Sequence, residues 1–580
     1  MADLRNHRVT FGLLVASIVF LTGAPQPAAA DDWLQWGRTP QHRGVSPVQG
    51  QRPEVILDSV VYDPFVAQMK AESGESLLAH YSVPLIRDGA IYMVFKTGVF
   101  TGSANFDSLT WNVKKLEWIG GRLEAVWSFE TDWKPEPLAL TAWESVLQPA
   151  ISGHDIYVPG LGGTVHRVAT ETGISEGRVN PFSDVDPTRY VAGGLGVGPD
   201  GSVFYNVIDL SNGDGDVDGA WLVKVIHEGD ASRVAFSTLV TGAPAPTSDC
   251  QAQFPNDQRP WPPTPDAVAP TIPCGSQRPG INVVPAIAED GTIYTLSRAH
   301  HSDRYSYLVA VHPDLTPAWK ASFRGILDDG CGVLLRIDDS NRGCRTGAHL
   351  GVDPSVNDQP AGRVRDQGTA SPVVLPDGNV LIGVSTSYNF ARGHLLKFNP
   401  QGGVLATYDF GWDLTPAVFE HDGTYSVLIK DNHYSDPDGI ASYDVSSLDA
   451  NLVPEWSFLA TNTESCVRQP GGEITCIEDH PEGFEWCVNQ PALDIDGTAY
   501  LNGEDGVLYA FDRSGQVVGS AFLDTALGAA YTPLSIGPGG IIYTQNNGVL
   551  FAVGAATRAP RGQPQTPERE SRAPISVARD

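Results

Sequence analysis

The sequence repeats one short pattern eight times, and this repetition limits the fold more than any other feature. A short apolar run begins near a proline, leads into Asp-Gly or a similar turn, and is followed by a second apolar run with a tyrosine. Because Asp-Gly between two β-rich runs is typical of a hairpin, each copy predicts two antiparallel strands. The clearest copies begin at Val83, Val284, Ser371 and Gln490, and weaker copies begin at Gln148, Gly194, Thr415 and Thr532.

A third apolar run and usually a fourth follow each hairpin, as in LYAFDRSGQVVGSAF from Leu508. Each repeat therefore predicts four strands, which we name A to D. The shortest repeats, Pro372 to Pro416 and Pro491 to Pro533, have the length of about 40–50 residues that is typical of a propeller blade. A period of this kind indicates a ring of blades.

We therefore expect an all-β fold, a single eight-bladed β-propeller of four-stranded antiparallel blades over residues 31–555. Seven blades are the alternative, because the copy at Gly194 is weak. The last copy has only three strands, whereas PEVILDSVVYD from Pro53 has no hairpin of its own. This N-terminal segment is predicted to supply the missing outer strand and to close the ring, which removes exposed sheet edges.

Both ends of the chain differ from the repeats. Residues 1–30 combine basic residues, the apolar run Phe11 to Gly23 and small residues before Asp31, which predicts a signal peptide and a secreted or periplasmic protein. No later run reaches the ~18 apolar residues of a membrane span. Residues 556–580 are polar and proline-rich, and we expect a disordered tail.

The balance of charge restricts the partners. The chain has 38 Lys and Arg against 68 Asp and Glu, a formal net charge of −30 at pH 7. Such a surface argues against nucleic acid, because no basic face is available to replace phosphate counterions. It argues equally against adhesion to anionic lipid, and we expect an acidic, soluble monomer.

All seven cysteines lie between residues 250 and 487. Export makes disulfides plausible, and three pairs bracket separate segments between or within blades. Cys487 is then left over, and no haem-attachment motif is present. The predicted disulfides are Cys250–Cys274, Cys331–Cys344 and Cys466–Cys476.

The chain resembles the quinoprotein-like (PQQ-binding-like) β-propeller family. The resemblance rests on DDWLQWGRTPQHRGVSP from Asp31, on Ala510-Phe511-Asp512 with Gly515, and on Ala310 with Trp319. It implies the propeller fold over nearly the whole chain. It does not fix an activity, because that superfamily includes quinone-dependent dehydrogenases as well as noncatalytic scaffolds such as outer-membrane assembly lipoproteins.

Propeller geometry predicts one decorated face. The B–C turns and the blade-to-blade connectors share one side, which we call the loop face, and this side holds the cysteine segments and the long polar turns. Long loops on a rigid scaffold are common sites of function. The B–C turn from Lys430 concentrates a cation, an anion, an amide, an imidazole and a phenol. The candidate residues there are Lys430, Asp431, Asn432, His433 and Tyr434, with His433 or Asp431 as a general base.

Further candidates border the same face. Glu485, Trp486, Glu504 and Asp505 lie near the ends of later strands or connectors. His300 and His301 are expected not to chelate as a pair, because adjacent side chains of a strand point to opposite sides. The alternative for all these polar groups is that they satisfy one another within turns.

The B–C turn of the third blade carries Asp214, Asp216 and Asp218, followed by Gly219. Alternating carboxylates with glycine at the sixth position suit calcium, although the twelfth position is Val225 and excludes an EF-hand. A polar hairpin tip is the alternative.

Two functions remain open at this point. The first is a secreted propeller that binds an extracellular glycan, peptide or small molecule on the loop face, with calcium as the candidate cofactor. The second, implied by the resemblance, is a PQQ- and calcium-dependent quinoprotein dehydrogenase oxidising an alcohol or sugar. In it, Lys430, Arg392 and Arg365 would meet the carboxylates of PQQ, Trp412 or Trp486 would stack on the quinone, and Asp413 or Asp431 would act as base.

The dehydrogenase interpretation lacks two family features. The adjacent-cysteine disulfide and the haem motif found in many members are missing from the sequence. The binding interpretation needs no feature beyond those present, and the sequence favours it.

Overall fold

The structure is a computed structural model that describes residues 32–74, 76–211, 215–226, 229–386, 388, 392–410, 412–434, 441–469, 471–486, 488–525 and 532–556. The predicted signal peptide, the predicted tail beyond Ala556, Asp214 and Cys487 lie outside these residues.

Eight four-stranded antiparallel sheets follow one another along the chain and form the blades of one ring. This confirms the all-β, eight-bladed prediction over the alternative of seven. The A to D strands of blades 1 to 4 are Leu85–Arg87, Ala90–Gly98, Leu109–Ile119 and Arg122–Thr131; Ala150–Ser152, Asp155–Pro159, Val165–Ala169 and Ser175–Val179; Gly196–Val197, Val203–Asp209, Gly219–Val225 and Ala231–Ala235; Ala286–Ile287, Ile293–Ala299, Ser306–Val311 and Pro317–Ser322.

Blades 5 to 8 repeat this order, and in blade 8 the N-terminal strand takes position D. Their strands are Val373–Val374, Val380–Ser385, Gly393–Phe398 and Val404–Tyr408; Ala417–His421, Thr424–His433, Ser442–Leu448 and Pro454–Leu459; Ala492–Leu493, Ala499–Asn502, Val507–Phe511 and Val517–Phe522; Ser535–Ile536, Ile542–Asn546, Val549–Gly554 and Val55–Val61.

A few shorter elements decorate the ring. Strands Arg189–Val191 and Gln277–Pro279 pair with strand B of blades 3 and 4, and two separate hairpins lie in connectors. The hairpins are Asp249–Gln251 with Thr271–Pro273 and Glu464–Arg468 with Ile474–Glu478; the α-helices are Val66–Ser73, Leu138–Thr141 and Phe236–Leu239; the 3₁₀ turns are Leu161–Gly163, Asn256–Gln258 and Pro538–Gly540.

The ring closes as predicted. Strand Val55–Val61 pairs antiparallel with Val549–Gly554, from Val55 opposite Gly554 to Val61 opposite Val549. The first and last strands of the propeller thereby share one sheet. No helix of the described residues is long and apolar enough to cross a membrane.

The segment before this strand, residues 33–51, contacts all eight blades. Its hydrogen bonds reach strand A of blades 1 to 7 and the A–B turn of blade 8, at the end of each blade opposite the loop face. The partners are Ile86, Ile151, Val197, Ile287, Val374, Val418, Leu493 and Gly540. Because strand A is the inner strand of each blade, and A strands of several neighbouring blades contact each other, this segment covers one end of the central channel. We call it the plug.

Neighbouring blades also interlock through tryptophan. On strand D of blades 1, 4 and 6, a tryptophan ring packs on a glycine in the C–D turn of the next blade. A Cβ atom on these glycines would lie 2.6 to 2.7 Å from the ring. The pairs are Trp127 with Gly173, Trp319 with Gly402 and Trp456 with Gly515.

The three predicted disulfides are present: Cys250–Cys274, Cys331–Cys344 and Cys466–Cys476. Each closes a loop of 10 to 24 residues on the loop face. Such bonds stabilise mainly by restricting the unfolded chain, so they hold local loops rather than the ring.

The tryptophan–glycine contact can be tested with two glycines that have the same φ angle. Gly515 and Gly423 both have φ of +79°, but a Cβ at Gly423 meets nothing within 4 Å. Gly423→Ala should lower the free energy of unfolding by ~1–2 kcal/mol through backbone strain alone. Gly515→Ala should cost a further ~1–3 kcal/mol, because the methyl group collides with Trp456. Urea denaturation measures both, and equal losses would contradict the packing argument.

Candidate functional site

The predicted site residues of blade 6 lie on strand B, Thr424–His433, and its alternation divides them. Lys430 and Asn432 point to one side of the sheet, while Asp431 and His433 point to the other, because successive side chains of a strand alternate. The sequence prediction grouped these residues as one site. The structure places them in two neighbouring environments.

On the first side, Lys430 faces the channel. Its Nζ lies 3.5 Å from Oδ2 of Asp413, and both side chains are almost fully buried. Asn432 donates to the carbonyl of Trp486 at 2.9 Å and accepts from the Trp486 amide at 3.1 Å. Asn432 therefore fixes the connector between blades 6 and 7, and it places Glu485 beside Lys430.

Glu485 forms hydrogen bonds with Glu504 and Tyr434. Burial raises the pKa of Glu485, and the nearby charge of Lys430 only partly opposes this effect. Two carboxyl groups at hydrogen-bond distance repel each other when both are ionised. The pair therefore favours one proton or one cation between the two groups.

On the second side, Asp431 lies between blades 5 and 6. Its Oδ1 is 2.8 Å from Nε2 of His433, and its Oδ2 accepts from Tyr408 at 2.7 Å and Ser446 at 2.8 Å. The ring of Phe410 stacks over His433 with centroids 5.8 Å apart. Asp431 is thus satisfied by protein groups, which favours a structural role over that of a general base.

The two predicted arginines have acidic partners. Arg392 lies 2.5 Å from Asp409, and Arg365 lies 2.9 Å from Asp303. Burial raises the pKa of Asp409, which shows that Arg392 compensates the carboxylate incompletely.

The remaining predicted residues have distinct positions. Trp486 is 2% exposed and packs edge-on against aromatic rings of blades 6 and 7. Asp505 accepts from Tyr509 at 2.6 Å and from Asn462 at 3.2 Å, and burial raises its pKa. Trp412 is partly buried, and its indole N–H has no acceptor among the described residues.

A histidine at the centre of the ring belongs to no repeat or motif and was not predicted from the sequence. His80 lies in the connector before blade 1, and its ring nitrogens are 2.9 Å from the carbonyls of Glu144 and Gln367. Burial outweighs these acceptors and, together with the charge of Lys430, lowers the pKa of His80 to about 4. The neutral ring has one N–H and donates it to one of the two carbonyls, while its other nitrogen lies against the second, so His80 contacts connectors from distant parts of the ring.

Two glutamates in the connector between blades 1 and 2 were also missed. Glu144 is 2.7 Å from Lys96, which also binds Asp63 at 2.8 Å, and burial raises the pKa of Glu144. Glu136 is fully buried, one of its oxygens has no partner among the described residues, and burial raises its pKa to about 7. Neither residue follows a repeat or a motif, so no sequence signal identified them.

These groups lie on connectors, turns or strand ends of the loop face, and Lys430 links Asp413 to Glu485, which bonds Glu504. We call His80, Glu136, Glu144, Asp413, Lys430, Glu485 and Glu504 the mouth cluster. Asn282 connects its parts, since it accepts from the Val146 amide at 2.9 Å and donates to the Asp366 carbonyl at 3.0 Å. The mouth cluster therefore joins connectors from both halves of the ring, at the channel end opposite the plug.

Beside the mouth cluster, Asp366 binds two buried arginines. Arg278 contacts both carboxylate oxygens at 2.9 and 2.7 Å, and Arg298 contacts one at 2.9 Å. Burial opposes ionisation of Asp366, but the two arginines outweigh it and hold its pKa at about 2.

The third-blade turn differs from the sequence expectation. Asp216 lies 2.7 Å from Nε2 of His301 and 4.0 Å from Nε2 of His300, whereas Asp218 accepts from Ser211 at 3.0 Å. The expectation that the two adjacent histidine side chains point to opposite sides is wrong, because one nitrogen of each ring lies within 4.8 Å of a carboxylate oxygen of Asp216. Whether the pair chelates a metal stays a prediction. Asp214 is not among the described residues, so the calcium loop stays a prediction.

Comparison with known proteins supports the fold. No protein-family model matches the chain, and no curated protein sequence matches it. Among solved structures it is similar to a quinohemoprotein alcohol dehydrogenase from Comamonas testosteroni, with a TM-score of 0.50 and 12% identity over 92% of this chain and 82% of that one. A europium-containing methanol dehydrogenase (0.48, 11%, 89% of each chain) and BamB from Moraxella catarrhalis (0.37, 11%, 82% and 95%) are further matches.

The chain thus has the quinoprotein-like β-propeller fold that the sequence resemblance implied. At 12% identity the likeness concerns the arrangement of the blades. Function depends on the side chains that this chain places on the fold.

The arginine-bound carboxylate gives a direct test of the energetics beside the mouth. Asp366→Asn leaves Arg278 and Arg298 buried without a counter-charge and should lower the free energy of unfolding by ~3–5 kcal/mol. The exposed Asp422, 3.4 Å from Arg513, is the matched control, and Asp422→Asn should change nothing measurable. Chemical denaturation of both variants provides the comparison, and similar stabilities would refute the assignment.

The same carboxylate predicts a pH dependence. The pKa of Asp366 is lowered on folding. The stabilising contribution of Asp366 is therefore present above about pH 4, the usual pKa of a carboxyl group. It is lost as the pH falls toward about 2. The difference in stability between wild type and Asp366→Asn should therefore shrink across this interval, and a constant difference would contradict the ion-pair argument.

Proposed function

We propose that this protein is an exported binding propeller that captures a ligand with a cationic group at the mouth cluster. The observation that carries the proposal is the excess of buried carboxyl groups at this end of the channel. The three disulfides support export, because such bonds persist in oxidising compartments.

The charges at the mouth do not balance. Seven carboxyl groups belong to the mouth cluster or interact with residues in it or next to it. Four cationic side chains lie in the same region. The acids are Asp63, Glu136, Glu144, Asp366, Asp413, Glu485 and Glu504; the cations are Lys96, Arg278, Arg298 and Lys430. Burial already raises the pKa of three of the acids. A cationic ligand group would supply the missing counter-charge.

Unpaired polar atoms indicate where a ligand could bond. The carboxamide of Asn489 is buried, and neither its oxygen nor its nitrogen has a partner among the described residues. One oxygen of Glu136 and the indole N–H of Trp412 share this property. Buried polar groups normally have partners, so these atoms favour a ligand that combines a cation with hydrogen-bonding groups.

The quinone-dependent alternative fits these residues poorly. PQQ is a tricarboxylate, and each cation assigned to it already has a carboxylate within 3.5 Å: Lys430 with Asp413, Arg365 with Asp303 and Arg392 with Asp409. Trp486, one of the two candidate platforms, is enclosed by other aromatic rings. We therefore derive no oxidation step for this chain.

Binding to four probes tests the ligand class. The probes are 1,5-diaminopentane, maltotriose, citrate, and PQQ with calcium. We expect calorimetric binding and a higher melting temperature with the diamine, and neither effect with the other three. Affinity for the diamine should rise from pH 5 to 8, because Glu136, whose pKa is about 7, must release its proton to compensate a cation.

A matched pair of variants tests the site. Glu485→Gln removes a charge at the mouth and should weaken diamine binding about tenfold, or ~1.4 kcal/mol. Glu482 is exposed in the same connector, and Glu482→Gln should bind like wild type. Equal binding by both variants would place the ligand elsewhere. Binding of maltotriose or retention of PQQ would contradict a cationic ligand and would indicate a sugar or a quinone ligand instead.

A further inference from the structure

A second cluster on the loop face joins the B–C turns of blades 3 and 4. Asp216, His300 and His301 each offer one ligand atom, and these three atoms all lie within 4.8 Å of one another. The closest pair is Oδ1 of Asp216 and Nε2 of His301, at 2.7 Å. The turns come from different blades, so a shared ligand would connect them.

The two histidines face the same way because the backbone is not a regular strand there. Strand B of blade 4 ends at Ala299, and the next two amides donate to one neighbouring segment. His300 bonds the Ser276 carbonyl and His301 bonds the Cys274 carbonyl, each at 3.0 Å. The Cys250–Cys274 disulfide anchors that segment. The backbone that carries both imidazoles is therefore held in place before any ligand arrives.

The turn of blade 3 adds a backbone oxygen. Nε2 of His300 lies 2.8 Å from the carbonyl of Gly215, the residue before Asp216. Two imidazole nitrogens, a carboxylate and a carbonyl form a mixed nitrogen and oxygen set. This set suits borderline divalent metals, whereas calcium takes oxygen ligands only.

Ligation by His300 requires one proton to move. Nδ1 of His300 accepts from Nε of Arg278 at 3.1 Å, so the ring proton sits on Nε2 and is donated to Gly215. A metal at Nε2 displaces this proton to Nδ1, where it faces the Nε–H of Arg278. The two donors then have to move apart, and Arg278 loses that one acceptor. Arg278 keeps its bonds to Asp366 and to the Pro279 carbonyl, so its charge stays compensated.

We propose that Asp216, His300 and His301 bind a divalent transition metal such as zinc, and that the metal links the loop-face turns of blades 3 and 4. The proposal is independent of the ligand at the mouth cluster. The proposal also assigns to Asp216 a softer ion than the calcium expected from the sequence. His300 is buried, whereas Asp216 is exposed. The metal would therefore be reachable from solvent on the side of Asp216.

The test uses the mature chain with Cys487→Ser, so that no free thiol competes, after removal of metals with EDTA. Calorimetry should detect one Zn²⁺ per chain, and Co²⁺ should give visible absorption typical of nitrogen ligation. Zn²⁺ should raise the melting temperature. A large excess of Ca²⁺ should not displace it.

Three variants locate the site. Asp216→Asn and His301→Ala alter partly exposed side chains and should each weaken Zn²⁺ binding at least tenfold while the melting temperature without metal is unchanged. His349 pairs with Asp266 at 3.3 Å in an exposed position, and His349→Ala is the matched control that should bind like wild type. Absence of Zn²⁺ binding by wild type, full binding by His301→Ala, or displacement by Ca²⁺ would each overturn the proposal.

Discussion

The backbone pairing between Val55–Val61 and Val549–Gly554 is the constraint on which the rest of the structure depends. Within each blade the strands are neighbours in sequence, so their pairing closes only short loops. Ring closure instead joins segments almost 500 residues apart, and it is the step with the largest entropy cost of loop closure. Once closed, the ring has no free edge between its first and last blades, and its radius is fixed by the number of blades.

A fixed radius explains why charged groups meet at the centre. The connectors enter each blade at strand A, and the A strands surround the channel. Side chains just before these strands, such as His80 and Asp413, therefore lie together although they are far apart in the chain. Their burial is unfavourable for the charged forms, which is why the pKa values of Glu136 and Glu485 rise. The fold holds the mouth cluster in a state that a counter-charge would stabilise.

The two ends of the channel have different roles because the plug covers only one of them. The plug bonds mostly backbone to backbone with inner strands, reaches Val197 through the Gln35 side chain, and adds buried rings such as Trp33 and Trp36. The loop face carries instead the disulfides and the polar turns. The Cys250–Cys274 bond lies directly beneath the histidine pair, so covalent restraint is located where side chains have to be held without the support of a sheet.

The sequence by itself determined the repeating blades and the closing strand, and it favoured eight blades over seven and three particular disulfide pairs, because these depend on local periodicity and on spacing. It also placed Lys430, Glu485 and Glu504 near one face. It could not separate Lys430 from Asp431 in function, since that requires knowing which side of strand B faces the channel. The plug carries no repeat, and its partners extend from Ile86 to Gly540. Only the tertiary structure decided that Glu136 is buried and that His300 and His301 turn together. These outcomes depend on contacts between distant segments, which local pattern does not encode.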